Sequence, residues 1–318
     1  MAVKVVRYQF GGQVAWGVVH DRSIAPLAAR FDSTGDFIRE GMDEARASQP
    51  SQATLALDSV RLLSPITEDR QFLCQGINYA SHVRESGMDP DKIGFNTIFT
   101  KASSCLASAF DDVVRPAHVR LLDYEIELGL VLKKPITQPL EVSPDKLHEW
   151  LAGVTIVNDV SARDVQLPQV QFYKGKSYRT FGPAGPYLVL LDAAEWLRWP
   201  ELHMRLVVNG QPRQDAYCGD MIFQPHQTLT ELSGLHNLYP GDLIATGTPA
   251  GCAARAPGRL QMWLARHLLS DQAKWGLFIK KGLRNPAYLQ PGDVMRGSVR
   301  TDDGAIDLGE QQNRIVLP

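Results

Sequence analysis

The segment that most constrains the fold of this chain is LDYEIELGLVL, residues 122–132. Every even position is apolar, whereas the odd positions include Asp123, Glu125 and Glu127. Successive side chains of a β-strand point to opposite faces, so the alternation predicts a strand with one face in a core and a row of carboxylates on the other. Glu125 and Glu127 are then about 7 Å apart, two steps of about 3.3 Å. The segment contains no lysine or arginine, so a bound hard cation that offsets the repulsion is a hypothesis to test.

Composition and charge place the chain among ordinary soluble globular proteins. Of its 318 residues, 44% are apolar and 21% charged, with a formal net charge of −2. Lysine and arginine are spread along the chain, which does not indicate a nucleic-acid partner. No apolar run is long enough to span a membrane, and the start MAVKVVR lacks the apolar centre of a secretion signal. The four cysteines are far apart with no CxxC spacing, so we expect a reduced, cytoplasmic location.

The first part of the chain is predicted to form a small α+β domain over residues 1–66. Alternating apolar and polar residues surround Gly11 and Gly12, which is typical of a β-hairpin. A helix-compatible stretch follows at 34–51, and a short strand is expected at 60–63. The composition then becomes polar, which predicts a domain boundary.

The remainder, residues 67–318, is predicted to be a β-rich catalytic domain, because many short strands alternate with turn residues. A helical insertion at about 254–285 interrupts it. Its apolar residues recur at helical spacing; they are Leu260, Trp263, Leu264, Leu268, Trp275, Phe278 and Ile279. We expect a pair of surface helices packed on the sheet, with a lid or an oligomer contact as the alternative.

A second acidic site follows the apolar strand 154–157. Asp159 lies at the strand end, where a rigid backbone opens toward a cleft. Ser161 and Asp164 resemble a capping box, which would place Arg163 and Gln166 on one face of the next helix. The alternative is that Asp159 only caps that helix. Carboxylates without Cys or His form an oxygen-only ligand set, which suits Mg²⁺ or Mn²⁺ better than Zn²⁺.

The segment NYASHVRE, residues 78–85, contains a possible base for catalysis. Asn78 is a plausible N-cap, which would place His82 and Glu85 three apart on one helical face. A carboxylate beside a histidine fixes its tautomer and raises its basicity, as water activation requires. The alternative is a structural or surface histidine, since such pairs also occur by chance.

Two loops contain groups that can bind an anion. In GKSYRTFGPAGP, residues 175–186, a lysine in a glycine-flanked turn could stabilise developing negative charge, although most single lysines are simply solvated. In TGTPAG, residues 246–251, glycines allow backbone N–H groups and threonine hydroxyls to point at a carboxylate or phosphate. The loop lacks the GxxxxGK[ST] pattern, so nucleotide binding is not expected.

Five segments together resemble the fumarylacetoacetate hydrolase family. NYASHVRE, DYEIELGLVL, VNDVSARDVQ, GKSYRTFGPAGP and PGDLIATGTPAG occur in the order seen in that family. The resemblance covers roughly residues 70–252 and resumes at 291–293. It implies an α+β, β-rich fold, a mixed β-sandwich roll with a small N-terminal α+β domain. It also implies a homodimer and a bound Mg²⁺ or Mn²⁺.

The resemblance implies a role for each of nine residues, and assigns none to Asp123. The metal ligands are Glu125, Glu127 and Asp159. The catalytic residues are His82, Glu85 and Lys176. The substrate-binding residues are Arg163, Gln166 and Thr248. His82 and Glu85 match the water-activating pair, and Lys176 matches the lysine that holds the substrate and its enolate. Arg179, Cys252 and the insertion depart from the usual family pattern and leave the acyl group of the substrate open.

The activity that the resemblance implies is hydrolytic C–C cleavage of a 2,4-diketo acid of the acylpyruvate type, in the catabolism of aromatic or related compounds. One alternative is a 2-oxo acid decarboxylase, hydratase or isomerase that uses the same metal site. A second is a non-catalytic carboxylate-binding protein on this scaffold. A glycosidase with paired carboxylates is a weaker alternative, because Glu125 and Glu127 share a strand face instead of flanking a cleft.

Overall fold

The computed structural model describes residues 2–255 and 269–318, and short β-strands dominate these ranges. The strands are β1 (Val3–Phe10), β2 (Gln13–His20), β3 (Ser23–Pro26), β4 (Leu55–Ala56), β5 (Arg61–Leu63), β6 (Phe72–Gly76), β7 (Thr97–Lys101), β8 (Leu106–Ser108), β9 (Val113–Val114), β10 (Leu122–Asp123), β11 (Ile126–Leu132), β12 (Leu151–Asn158), β13 (Ser161–Ala162), β14 (Gly182–Ala184), β15 (Leu188–Leu190), β16 (His203–Val208), β17 (Gln211–Tyr217), β18 (Leu243–Ala245), β19 (Val294–Arg300) and β20 (Asp307–Val316). The α-helices are α1 (Thr34–Asp36), α2 (Met42–Ala47), α3 (Ala80–Glu85), α4 (Leu147–Trp150), α5 (Arg163–Gln169), α6 (Phe172–Lys176), α7 (Ala193–Trp196), α8 (Pro225–Ser233) and α9 (Asp271–Gly282). The predicted β-rich α+β class is confirmed.

Most strands belong to one mixed sheet with the central order β1-β15-β12-β11-β18-β6-β7. A second sheet has the order β17-β16-β19-β20-β9. Strand β11 is antiparallel to both β12 and β18, and β18 is parallel to β6. The start of β11 therefore lies at the same edge of the sheet as the ends of β12, β18 and β6. This edge brings together four segments that are distant in sequence.

The acidic segment does not form the continuous, half-exposed strand that its alternation predicts. It is divided into β10 and β11, with Tyr124 and Glu125 between them. All seven residues of β11 are buried, as are all eight of β12, so neither strand has a solvent-facing side. The odd positions of the segment therefore point into the interior of the protein. Burial makes every charge there costly unless it is paired.

The N-terminal part follows the predicted order of elements. Strands β1 and β2 form the expected hairpin, in which Phe10 pairs with Gln13. A helical stretch follows, made of α1, a π-helical turn at Phe37–Gly41 and α2. Strand β1 also pairs with β15 from the second part of the chain, with Val3 opposite Leu190. The two parts thus share one sheet, and their division into two domains at residue 66 stays a prediction.

The predicted helical insertion is described only in part. Leu260, Trp263, Leu264 and Leu268 lie outside the described residues, whereas helix α9 confirms the helical spacing of its second half. Phe278 and Ile279 are half-buried and pack on the main core, and the ring of Trp275 meets that of Phe278 edge to face at 5.9 Å. At its end, Gly282 lies against Leu121, where a Cβ would come within 2.6 Å of the leucine.

Two further sequence expectations concern cysteines and membranes. All four cysteines are buried and none forms a disulfide. Among the described helices, none has the length and apolar character needed to cross a bilayer.

Candidate active site

Three buried carboxylates converge at the sheet edge. Ligand oxygens of Glu125, Glu127 and Asp159 all lie within 4.8 Å of one another. The pairing of Ile126 with Asn158 brings the start of β11 beside the end of β12. Two hydrogen bonds fix the crossing point: Asp159 N donates to the carbonyl of Glu125 at 2.8 Å, and Glu125 N donates to Asn158 Oδ1 at 3.0 Å. The structure thus places the three acids together as the resemblance implied.

Bases from other segments offset part of this negative charge. Lys176 Nζ lies 2.6 Å from both Glu125 Oε2 and Asp159 Oδ2. Lys101 Nζ lies 2.6 Å from Asp159 Oδ1 and donates to the carbonyl of Phe181 at 2.7 Å. The lack of bases within residues 122–132 therefore does not leave the acids uncompensated. Lys176 is the last residue of a short helix, α6, and does not lie in the predicted turn.

Arg163 is the third basic residue that contacts the acids. Its Nε donates to Asp123 Oδ2 at 2.8 Å, its Nη1 donates to Gln166 Oε1 at 2.9 Å, and its Nη2 is paired with Glu125 Oε1. Arg163 and Gln166 share one face of α5, as predicted. The guanidinium therefore lies between the acidic cluster and the start of this helix.

The predicted capping box before α5 is wrong. Ala162 occupies the cap position, with no side-chain cap. Ser161 instead donates to the carbonyl of Asp159 at 2.9 Å, and the Asp164 carboxylate accepts from Arg120 N at 2.9 Å. Asp159 pairs with the two lysines, so its reading as a simple helix cap is also wrong. Long-range partners outcompete the local capping pattern here.

The surroundings give two of the acids opposite protonation behaviour. Burial raises the pKa of Glu125, but Arg163 and Lys176 outweigh burial and hold this pKa at about 2. The pKa of Glu127 is raised well above its ordinary value, because of burial first and of the charges of Asp159 and Glu125 next. Of these two acids, Glu127 is the one whose negative charge the protein stabilises less.

The site fits a hard divalent cation. Within the described ranges, Glu127 has no lysine or arginine partner and accepts one hydrogen bond, from Gly247 N at 2.8 Å. A cation between Glu127 and Asp159 would supply the charge compensation that Glu127 lacks. The donor set is made of carboxylate oxygens only, which Mg²⁺ and Mn²⁺ prefer.

His82 is on α3, and Glu85 is on the same helix. No hydrogen bond joins the two side chains: Glu85 Oε2 accepts from Gly251 N at 2.9 Å, and the buried His82 Nδ1 has no partner in the described part of the chain. Burial lowers the pKa of His82, while the charge of Glu125 opposes this and that of Arg163 adds to it. The imidazole is therefore neutral at pH 7 and retains a free nitrogen near the charged cluster.

Asn78 is not the N-cap of α3, because the helix begins at Ala80 after Tyr79. The Asn78 amide is buried and hydrogen-bonds to the backbone of Phe223 and Thr246. It ties the start of α3 to the end of β18. The position of His82 is thus fixed by tertiary contacts and not by a local cap.

The TGTPAG loop directs its N–H groups at carboxylates of the protein itself. Gly247 N binds Glu127 and Gly251 N binds Glu85. Gly247 has a φ of +85°, and a Cβ there would lie 3.0 Å from that of Asn78, so the turn requires glycine. The Thr248 hydroxyl donates to the carbonyl of Ile126 at 2.9 Å. This hydroxyl supports β11, so any donor that Thr248 offers to a substrate carboxylate is its backbone N–H.

Three residues of the site were missed by the sequence reasoning. Lys101 and Asp123 are ionisable residues with almost no exposed surface. Gln214, from the second sheet, accepts from Ile126 N at 3.0 Å and donates to Thr248 Oγ1 at 2.8 Å. Lys101 and Gln214 are each in a strand, in segments with no recognisable motif. Asp123 was visible as the first acid of the alternating segment.

Comparison with known proteins gives two family matches. The model described as the fumarylacetoacetate hydrolase C-terminal domain matches residues 71–316. A second model, described as Rv2993c-like, N-terminal, matches residues 3–65.

Individual relatives differ in the reactions that their names describe. The mitochondrial oxaloacetate tautomerase FAHD2A of Bos taurus is 34% identical over 222 residues, 68% of each chain. A fumarylacetoacetate hydrolase from Exiguobacterium antarcticum has a TM-score of 0.71 at 30% identity, covering 99% of this chain and 100% of that one. A probable 2-hydroxyhepta-2,4-diene-1,7-dioate isomerase from Mycobacterium abscessus has a TM-score of 0.73 at 28% identity, covering 100% and 99%.

Proposed function

Because this chain belongs to the fumarylacetoacetate hydrolase family, we propose that it hydrolyses a C–C bond in a 2,4-diketo acid of the acylpyruvate type. The observation that carries the proposal is the convergence of three buried acids and Lys176, with His82 close enough for the charge of Glu125 to act on its pKa. We assign the acids as ligands of Mg²⁺ or Mn²⁺. The reaction gives a carboxylate and pyruvate, and belongs to the catabolism of aromatic or related compounds.

The proposed mechanism uses His82 as a base and Lys176 as an oxyanion partner. A bound Mg²⁺ or Mn²⁺ would supply Lewis acidity and a template for the carboxylate and 2-oxo oxygens of the substrate. The imidazole of His82 accepts a proton from the water that attacks the 4-oxo carbon. The bond between carbons 3 and 4 then breaks and the pyruvate enolate leaves, with its charge stabilised by Lys176 Nζ. The proton that His82 took from the water then passes to carbon 3, which completes pyruvate and returns the imidazole to its neutral form.

The remaining site residues hold the substrate or the base. Arg163, Gln166 and the backbone of Thr248 are proposed to bind substrate carboxylate oxygens. Glu85 is proposed to assist His82 in two ways. Its hydrogen bond with Gly251 N fixes α3, and its negative charge favours the protonated imidazole.

Removal of divalent ions should abolish the proposed activity. Hydrolysis of acylpyruvates is measured as the loss of their enol absorbance. Treatment with EDTA is expected to reduce this rate to background. Addition of Mg²⁺ or Mn²⁺ should restore it, because the ligand oxygens remain in place. A panel with different acyl groups identifies the preferred substrate. Full activity after EDTA treatment would contradict the metal assignment, and no turnover of any member with either metal would contradict the proposed reaction.

The second candidate is tautomerisation of a 2-oxo acid such as oxaloacetate at the same site. The 34% identity to an oxaloacetate tautomerase favours it. So does the absence of a His82–Glu85 hydrogen bond in the described residues, because this reaction needs enolate stabilisation but no activated water. Both candidates depend on Lys176 and the three acids. They differ in their need for His82 as a water-activating base.

Replacement of His82 by glutamine separates these candidates. If C–C hydrolysis is the reaction, we expect kcat to fall by about 10²–10⁴-fold, the usual contribution of a general base. In the wild type, kcat/KM should fall as the pH drops through the pKa of His82, which burial keeps below its ordinary value of 6.5. Protonation removes the base, so activity is present above this pKa and lost below it.

The control for this variant is His118→Gln, since His118 is exposed and hydrogen-bonds to Tyr178. It should leave the pH profile unchanged. If His82→Gln retains acylpyruvate hydrolysis with the same acid limb, the water-activating role is contradicted. If it loses hydrolysis of acylpyruvate but retains turnover of oxaloacetate, His82 acts only in the hydrolytic reaction.

We further propose a cytoplasmic homodimer as the acting form, on the family resemblance and the free buried cysteines. Sedimentation equilibrium of the purified protein tests the oligomeric state. A monomer at micromolar concentration would contradict the dimer.

A further inference from the structure

Asp123 is a buried carboxylate with four donors and no role in the mechanism above. Its Oδ1 accepts from Tyr124 N at 2.9 Å and Ala253 N at 2.8 Å. Its Oδ2 accepts from Ala254 N at 3.0 Å and from Arg163 Nε at 2.8 Å. None of its surface is exposed. A carboxylate that is this fully hydrogen-bonded has a fixed orientation and fixes its partners in turn.

One of those partners is the proposed substrate-binding arginine. A guanidinium has five N–H donors. Among the described residues, Arg163 uses three of them, on Asp123, Gln166 and Glu125. The two that remain can form a bidentate pair with a ligand carboxylate, and their direction follows from the other three. Asp123 holds the Nε edge and so sets the plane of the guanidinium.

The other partners are at the root of the insertion. Ala253 directly precedes it and Ala254 is its first residue. The Ala253 carbonyl accepts from Asn285 Nδ2 at 2.9 Å, where the chain returns from α9. Leu289 N then donates to the carbonyl of Leu122, beside Asp123, at 2.9 Å. Both ends of the insertion are therefore attached to the short segment that contains Asp123.

We propose that Asp123 is a positioning residue that couples the root of the insertion to Arg163 and thereby sets the affinity for the carboxylate of the substrate. The inference rests on the proposed 2-oxo acid function. In the described structure Asp123 forms no hydrogen bond with the three acids and reaches Glu125 only through Arg163, so we assign its role to substrate binding and not to metal binding. The insertion thus affects substrate recognition through its attached ends.

The test uses oxalate, a planar dianion that resembles the pyruvate enolate, as the ligand of the Mn²⁺-loaded protein in calorimetry. Asp123→Asn retains the shape of the side chain but turns an N–H₂ group toward donors. We expect it to weaken oxalate binding about tenfold or more, the effect of losing a charge-assisted hydrogen bond, with little change in Mn²⁺ affinity. The control Asp164→Asn alters a neighbouring carboxylate that binds backbone N–H groups but not Arg163, and should change neither affinity.

Three further variants protect the test against misfolding. Arg163→Lys should weaken oxalate binding as well, and the double variant Asp123→Asn/Arg163→Lys should be no weaker than the worse single variant, because both act on one contact. Asn285→Ala removes the bond to Ala253 and a local bond from Ala287 N to Asn285 Oδ1. It should weaken oxalate binding several-fold. The positioning role would be overturned if the effects of Asp123→Asn and Arg163→Lys on oxalate affinity multiplied in the double variant. It would also be overturned if Asp123→Asn and Asn285→Ala bound oxalate as tightly as the wild type. Failure of the wild-type Mn²⁺ protein to bind oxalate would instead contradict the proposed substrate class, and the positioning role with it.

Discussion

Replacing Asp159 with asparagine is expected to abolish Mn²⁺ binding and to lower turnover by about a thousandfold or more. Asparagine retains the shape of the side chain but loses the charge that a divalent ion needs, and such an ion contributes several kcal/mol to the stabilisation of an enolate-like transition state. The variant also leaves the buried Lys101 Nζ without the negative charge of Asp159, with neutral carbonyl oxygens as its acceptors among the described residues. Breaking a buried ion pair in this way should lower the free energy of unfolding by about 3–5 kcal/mol. Calorimetric Mn²⁺ titration and urea unfolding measure the two effects.

The matched control is Asp242→Asn. Asp242 is also buried, but it accepts from Gln71 and from Tyr239 N, at a turn outside the acidic cluster. Its replacement should reduce stability without changing the Mn²⁺ affinity of the folded protein. If Asp159→Asn binds Mn²⁺ as tightly as the wild type, the three acids do not form the metal site, whatever the variant does to stability.

The parts of the site that the sequence could predict are those written in local patterns. The alternation of residues 122–132 identifies Glu125 and Glu127 as neighbours on one face. The apolar strand before Asp159 indicates a strand end, and the spacing of Arg163 and Gln166 gives one helical face. Each of these depends on the period of a strand or helix, which the backbone imposes within a few residues. The structure retains all three relations.

The parts that could not be predicted are contacts between distant segments. Lys101 is 58 residues from Asp159 in the chain, and nothing in its strand distinguishes it from a surface lysine. Asn78 is a residue type that favours the N-cap position, but its side-chain amide binds the backbone carbonyls of Phe223 and Thr246 instead. Leaving a buried backbone group without a partner costs more than leaving a helix end to water. For the same reason, the loop at Gly247 reads as an anion-binding loop but binds the carboxylate of the protein itself. Burial, which the sequence does not state, decides these cases.

Replacing Lys176 with methionine should separate catalysis from metal binding. We expect kcat to fall by about 10²–10³-fold, the usual loss on removing one oxyanion donor of an enzyme. The Mn²⁺ affinity should stay the same or rise, because Lys176 Nζ is a cation 2.6 Å from the oxygens of two proposed ligands, Glu125 and Asp159. Methionine fills a similar volume, so the buried site is not left with a cavity. Steady-state turnover of an acylpyruvate and calorimetric Mn²⁺ titration test the two effects in one preparation.

The control for this variant is Lys174→Met on the same helix, where the side chain is exposed and Nζ contacts only Gln169 among the described residues. It should change neither kcat nor the Mn²⁺ affinity. A loss of Mn²⁺ binding in Lys176→Met would make the lysine a support of the acids instead of a partner of the enolate. Unchanged turnover with intact metal binding would remove Lys176 from the chemistry altogether. The enolate would then need another donor of the protein, such as Arg163.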